Sequence, residues 1–187
     1  ERGSSLYLPW NTYYMMGRED THAFAIGLDN PSYALSFKIS LGREAGIEQV
    51  EVMRSKINVK RLNYSQATTM QESSELKYFF DIAKENYKKR NKMGAISIDI
   101  PETEVFLKDE NVLICEHIED ASFKMIKEMM LLAGEAAAFF AFKNGIPFQY
   151  ISQASPTNMP KKLEIGLAGE FQKRRYMKAR SVGTSPQ

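Results

Sequence analysis

Residues 33–40 alternate: Tyr33, Leu35, Phe37 and Ile39 fall on one side, and Ala34, Ser36, Lys38 and Ser40 on the other. That is the period of a half-buried strand. Ser5, Leu6, Tyr7 and Leu8 before Pro9 read as a shorter strand, and residues 22–28 as a looser one. Gly42 and Gly46 bracket a turn, after which residues 47–59 again carry β-branched side chains. The first third of the chain therefore predicts an antiparallel meander.

The period then lengthens. Ser73 and Ser74 precede Leu76, Phe79, Phe80, Ala83 and Tyr87 at helical spacing, and Gly94 stands where a C-terminal cap belongs. Residues 95–100 read as a strand broken by Pro101, and Val105 to Leu107 should pair with Val112 to Cys115 across a turn at residues 108–111. Asp120 and Ser122 can cap a long helix ending near Lys143, with Asn144-Gly145 as its stop. That helix is apolar around most of its circumference, which predicts burial inside a larger domain. Residues 146–151 read as a short strand, and a basic segment closes the pattern with Lys173, Arg174, Arg175, Lys178 and Arg180.

Composition adds limits. The chain has 187 residues, 43% hydrophobic and 26% charged, enough for one domain with a core and too little for two. We expect residues 1–187 to belong to one α+β domain, with antiparallel strands followed by packed helices. Residues 1–62 are mainly strands, and 63–187 are helices with short strands. A net charge of +2 gives no global attraction for nucleic acid, so any basic signal is local. The lone Cys115 excludes an intrachain disulfide, fits a reducing compartment (cytoplasmic or organellar), and alternates with strand residues as a core side chain would. Met15-Met16 and Met129-Met130 read as core filling. No apolar run approaches the roughly 18 residues that suggest a membrane span. The chain opens on Glu1 and closes on Ser185-Pro186-Gln187, so the domain is expected to be incomplete at both ends.

Six segments in order carry a resemblance. They are Arg2 to Pro9; Ala34-Leu35-Ser36; Val52 to Ile57 with Arg61-Leu62-Asn63-Tyr64; Arg90 to Glu102; Ile126 to Ala133; and Asn144 to Phe148. Together they resemble the RNB catalytic domain of the ribonuclease II and ribonuclease R exoribonuclease superfamily, across nearly the whole chain. The family pattern is broken at Tyr14-Met15-Met16-Gly17, at Gly134 and at Tyr150-Ile151-Ser152-Gln153. Some organellar and cyanobacterial-like branches share the Ala-Gly-Glu of positions 133–135, so these departures mark either a subgroup or a relaxed active site.

The resemblance implies a 3′→5′ exoribonuclease that hydrolyses single-stranded RNA to nucleotides with Mg²⁺ held by clustered aspartates. No such cluster is visible here, because Asp99, Asp109 and Asp120 sit at a strand end, a turn and a cap. The metal ligands and the catalytic residues are expected outside this segment, which alone should not cleave RNA. What the resemblance leaves to it is RNA path and scaffold. Tyr64 matches a tyrosine near the active centre, and Glu128 a carboxylate that helps recognise ribose, as a 2′-OH donor permits. Arg90, Arg175 and Lys178, from two basic runs, are candidate phosphate contacts. A rival reading is an RNB-like subunit that binds RNA or protein without hydrolysis. Single-stranded RNA, and proteins of an RNA-degradation complex, are the expected partners, with no membrane.

Overall fold

The computed structural model describes residues 3–28, 31–109, 111–117, 119–160 and 162–186. Arg2 and Glu110, which the sequence assigns to a strand motif and a turn, lie outside them. The chain has an α+β fold and divides into two compact units, one from residues 1–36, 54–62 and 101–118, the other from 37–53, 63–100 and 119–187.

In the first unit β1 (Leu6–Tyr7) and β2 (Thr12–Tyr13) pair antiparallel, Leu6 opposite Tyr13. Of the looser strand expected over 22–28, residues 22–24 instead close a helix, α1 (Arg18–Phe24), and only Ile26 takes a bridge position before a turn at 27–28. Glu19 and Asp20 in its first turn suit the positive end of the helix dipole, and the segment lacks the apolar repeat that would have betrayed it. The hairpin expected near residue 110 is present: β5 (Glu102–Lys108) and β6 (Asn111–His117) pair antiparallel with Val105 opposite Ile114 and Leu107 opposite Val112. Asp109 turns it at φ +49°, a left-handed conformation that Asp tolerates better than most residues. Cys115 is exposed on this hairpin, not packed in a core.

A long hairpin, β3 (Ser32–Leu41) and β4 (Ile47–Ile57), closes around a single 3-10 turn at Arg43–Ala45. Its alternation is as read, but the burial is reversed near its start: Ser32 is buried while Tyr33 and Leu35 are exposed. The Lys56 ammonium lies 5.3 Å from the Tyr33 ring centroid, and the hydroxyls of Ser36 and Ser55 meet at 2.6 Å across the strands.

The second unit is built on helices. Asn63 caps α2 (Tyr64–Thr69) through a reciprocal pair with Gln66. In α3 (Lys77–Lys92) Phe80 and Ala83 pack on Met125 of α4 (Ala121–Lys143), with Leu76 and Met129 alongside. Asp120 caps α4 as expected, its carboxylate accepting the Phe123 N–H at 3.0 Å. The buried stripe of α4 is narrow, running Ser122, Met125, Glu128, Leu132 and Ala136. Met130 and Phe142 are exposed, so burial around most of its circumference is not reached within these residues; Met15 and Met16 are exposed as well.

Residues 95–100 form no strand and join no sheet among the described residues. The strand read at 146–151 starts later, as β7 (Tyr150–Gln153), and pairs antiparallel with β8 (Arg180–Gly183). Between these strands lies α5 (Leu167–Tyr176). Its Glu170 accepts the Asp99 N–H at 2.9 Å, and its Lys173 donates to the Ser97 carbonyl at 3.4 Å. Side chains of a helix thus hold the segment that sequence alone assigns to a strand.

Candidate functional site

Between α3 and α4 lies a cleft of about 340 Å³. Residues 80, 83, 84, 87 and 90 of α3 and 121, 124, 125 and 128 of α4 line it, each set one face of its helix. Ser97 and Asp99, on the segment held by α5, form part of its wall.

Glu128 is 5% exposed within this cleft. A carboxylate so placed is costly unless its charge and lone pairs are met. Three donors meet them: Arg90 Nε at 3.0 Å and Asn86 Nδ2 at 2.9 Å on Oε2, and Arg90 Nη2 at 2.5 Å on Oε1. Asn86 is wholly buried, and its Oδ1 has no hydrogen-bond partner among the described residues. Turning the amide round would set that oxygen against the carboxylate, so Glu128 dictates the orientation. An unmet buried acceptor costs about 1–3 kcal/mol, a cost borne here to hold one carboxylate still.

Of the residues singled out from sequence, the structure brings Glu128 and Arg90 together. Tyr64 stands elsewhere, opening α2, with its ring edge-on to Phe123 at a centroid separation of 5.4 Å. Its carbonyl accepts the hydroxyl of the buried Ser122 at 2.7 Å, which ties α2 to the start of α4. Beside it, Asp120 is held below the usual aspartate range, first by the Phe123 N–H and then by hydroxyls of Ser122 and Thr68, against the opposing effect of burial. Arg175 and Lys178 lie at and beyond the end of α5, both exposed, with the Arg175 guanidinium 5.6 Å from the Phe171 ring centroid.

The two basic runs differ. Lys88, Lys89, Arg90 and Lys92 are engaged by Glu85, Glu135, Glu128 and Glu44. In the second run only Lys173 is so engaged, by Glu170, and Arg174, Arg175, Lys178 and Arg180 have no ion pair among the described residues. Glu170 is held below its ordinary range by Lys173 and by the Asp99 N–H. Sequence reasoning missed Asn86, Lys84 and Lys124. Their one signal was the shared helical face with Phe80, Ala83 and Met125, which reads as core spacing.

No group of three or more His, Cys, Asp or Glu side chains that could hold a metal occurs among the described residues. Asp99, Asp109 and Asp120 lie apart, in a cleft wall, a hairpin turn and a helix cap. These residues do not fit a Mg²⁺ site. No helix among the described residues is long and apolar enough to cross a membrane.

Residues 1–179 match the family model of the RNB domain. Over its whole length the chain is 30% identical to an uncharacterised ribonuclease of Synechocystis, and over 81% of it 27% identical to the chloroplastic/mitochondrial ribonuclease II of Arabidopsis thaliana. It spans 30% and 20% of the lengths of those two relatives. Among solved structures, Mycoplasma genitalium RNase R in complex with ribose-methylated single-stranded RNA superposes with a TM-score of 0.77 at 18% identity, covering 98% of this chain and 36% of that one. An active-site mutant of the Dss1 exoribonuclease of Candida glabrata gives 0.74 at 14% identity, over 98% of this chain and 28% of that one.

Proposed function

Because the chain belongs to the RNB domain family of exoribonucleases, we propose that it is the RNA-path and scaffold portion of an enzyme that degrades single-stranded RNA from its 3′ end to nucleotides. The observation that carries this reading is Glu128, a buried carboxylate held by Arg90 and Asn86 in an open cleft. Oε2 takes two donors and Oε1 one, so Oε1 retains a lone pair. A ribose 2′-OH can donate to it, and DNA offers no such donor.

Tyr64, Arg90, Arg175 and Lys178 take the other RNA contacts. The aromatic ring can stack on a base, and the cations meet backbone phosphates. Residues 1–187 form part of one catalytic domain, and proteins of an RNA-degradation complex are further partners. Mg²⁺, bound by carboxylates outside this segment, would activate water and stabilise the leaving oxygen in the whole enzyme.

The test uses the full-length protein and 5′-labelled single-stranded RNA. Stepwise shortening from the 3′ end with release of mononucleotides, dependent on Mg²⁺, is the expected result. Tight RNA binding without any shortening would overturn the enzymatic reading in favour of a non-hydrolytic RNB-like binding subunit.

A further inference from the structure

From Val52 to Gln71 the chain carries Arg54, Lys56, Lys60 and Arg61 and no carboxylate, although its net charge is only +2. All four residues are exposed, and none makes an ion pair among the described residues. Arg54 and Lys56 share one face of β4, about 7 Å apart along the strand. The Lys56 ammonium, 5.3 Å from the Tyr33 ring centroid, places Tyr33 and Leu35 of β3 on that same face. Tyr33 is 81% exposed and Leu35 60%. The opposite face is the partly buried one, where the Ser36 and Ser55 hydroxyls meet at 2.6 Å. Tyr33, Leu35 and the four cations all belong to the first unit, and none lines the cleft between α3 and α4. An apolar partner could not cover this face without stranding unpaired cations away from water. What fits it is a polyanion, and the exposed ring narrows the choice. Single-stranded RNA offers successive phosphates at a spacing near that of alternate strand residues, together with bases that stack on an aromatic ring. An acidic peptide supplies the charge without the bases.

We propose that the outward face of the β3–β4 hairpin is a second RNA-binding surface, with Arg54 and Lys56 on backbone phosphates and Tyr33 against a base. Lys60 and Arg61 continue the basic track beyond the end of β4. The surface holds a stretch of single strand other than the one in the α3–α4 cleft, so it adds affinity for long RNA and none for short RNA. The inference rests on the reading of the parent protein as an RNA-binding RNB enzyme.

The experiment measures binding of fluorescein-labelled oligoadenylates, one a trinucleotide and one of about 16 nucleotides, to the full-length protein. Chelator prevents hydrolysis, and a salt series gives the slope. On the long RNA, Arg54→Gln/Lys56→Gln should raise Kd by roughly tenfold and make the slope of log Kd against log salt shallower by about 0.7 for each phosphate no longer neutralised. Tyr33→Leu should raise Kd by about fivefold or more and leave the slope unchanged, since stacking carries no counterion. Neither variant should alter binding of the trinucleotide. Lys38→Gln, on the opposite face and held by Glu51 at 3.4 Å, should change nothing. An equal effect there would reduce the result to net charge and overturn the surface. Wild-type Kd and slope in the Arg54/Lys56 variant overturn it too, as does weaker binding of polyglutamate with RNA binding unchanged, and all three leave the RNA reading intact. A wild-type protein that binds no RNA overturns both, which is a different outcome.

Discussion

Arg90 meets Glu128 side-on, Nε on one carboxylate oxygen at 3.0 Å and Nη2 on the other at 2.5 Å. The two residues stand 38 positions apart in sequence and join the facing sides of two helices. The carboxylate is the buried partner and the guanidinium the half-buried one. Removing the guanidinium therefore strands a charge that has little access to water.

Arg90→Ala should accordingly destabilise the protein by roughly 3 kcal/mol, and Glu128→Ala by less, since the cation it frees can reach solvent. The double variant should cost clearly less than the sum of the two. Urea unfolding of the four proteins measures this, and strict additivity would show that the pair is not coupled.

Ser122 is wholly buried and joins Tyr64 to the α4 cap. Ser122→Ala removes the hydroxyl shared by the Tyr64 carbonyl and the Asp120 carboxylate, which should cost about 1–3 kcal/mol. In the full-length enzyme Tyr64→Ala should lengthen the final product or slow the last cleavages. Denaturing gels of the limit products test it, and unchanged end products would leave Tyr64 a purely structural residue.

The depressed Asp120 carboxyl predicts a pH dependence with a definite sign. Its folded-state value lies below its unfolded one, so its stabilisation is complete above pH about 4 and is lost as pH falls through the lower folded value. Asp120→Ala should cost about 1 kcal/mol near neutrality, the worth of a helix cap, and progressively less on acidification. Stability curves of the two proteins that stay parallel down to strongly acidic pH would contradict the assignment.

Gly169 sits inside α5, where an added Cβ would strike the main-chain carbonyl of Glu164. Alanine normally favours a helix by about 1 kcal/mol over glycine. Here the clash should outweigh that, with Gly169→Ala destabilising by roughly 2 kcal/mol. Because Glu170 and Lys173 hold residues 97 and 99, faster amide exchange over 95–100 should accompany it. Stabilisation without faster exchange would contradict this account of α5.

Helix α4 was readable at both ends because its cap and stop are local chemistry, Asp120 on the Phe123 N–H and Asn144-Gly145 after the last turn. Residues 95–100 were misread for the opposite reason. Ile96, Ile98 and Ile100 alternate with Ser97 and Asp99 as in a strand, yet what holds the segment is Glu170 and Lys173, more than 70 positions away. Exposure of Tyr33, Leu35 and Met130 was equally invisible, since period tells which residues share a face and not whether anything covers it. For the cleft, the family resemblance singles out Glu128, and a basic run singles out Arg90 independently. Their pairing and the part of Asn86 needed coordinates.

The most direct test of the central claim is the ratio of kcat/KM on single-stranded RNA to that on DNA of the same sequence, for the full-length enzyme and its Glu128→Gln variant. The account predicts a marked RNA preference in the wild type, reduced by roughly tenfold in the variant, with the maximal rate on RNA changing less. An identical preference in the two proteins would contradict it.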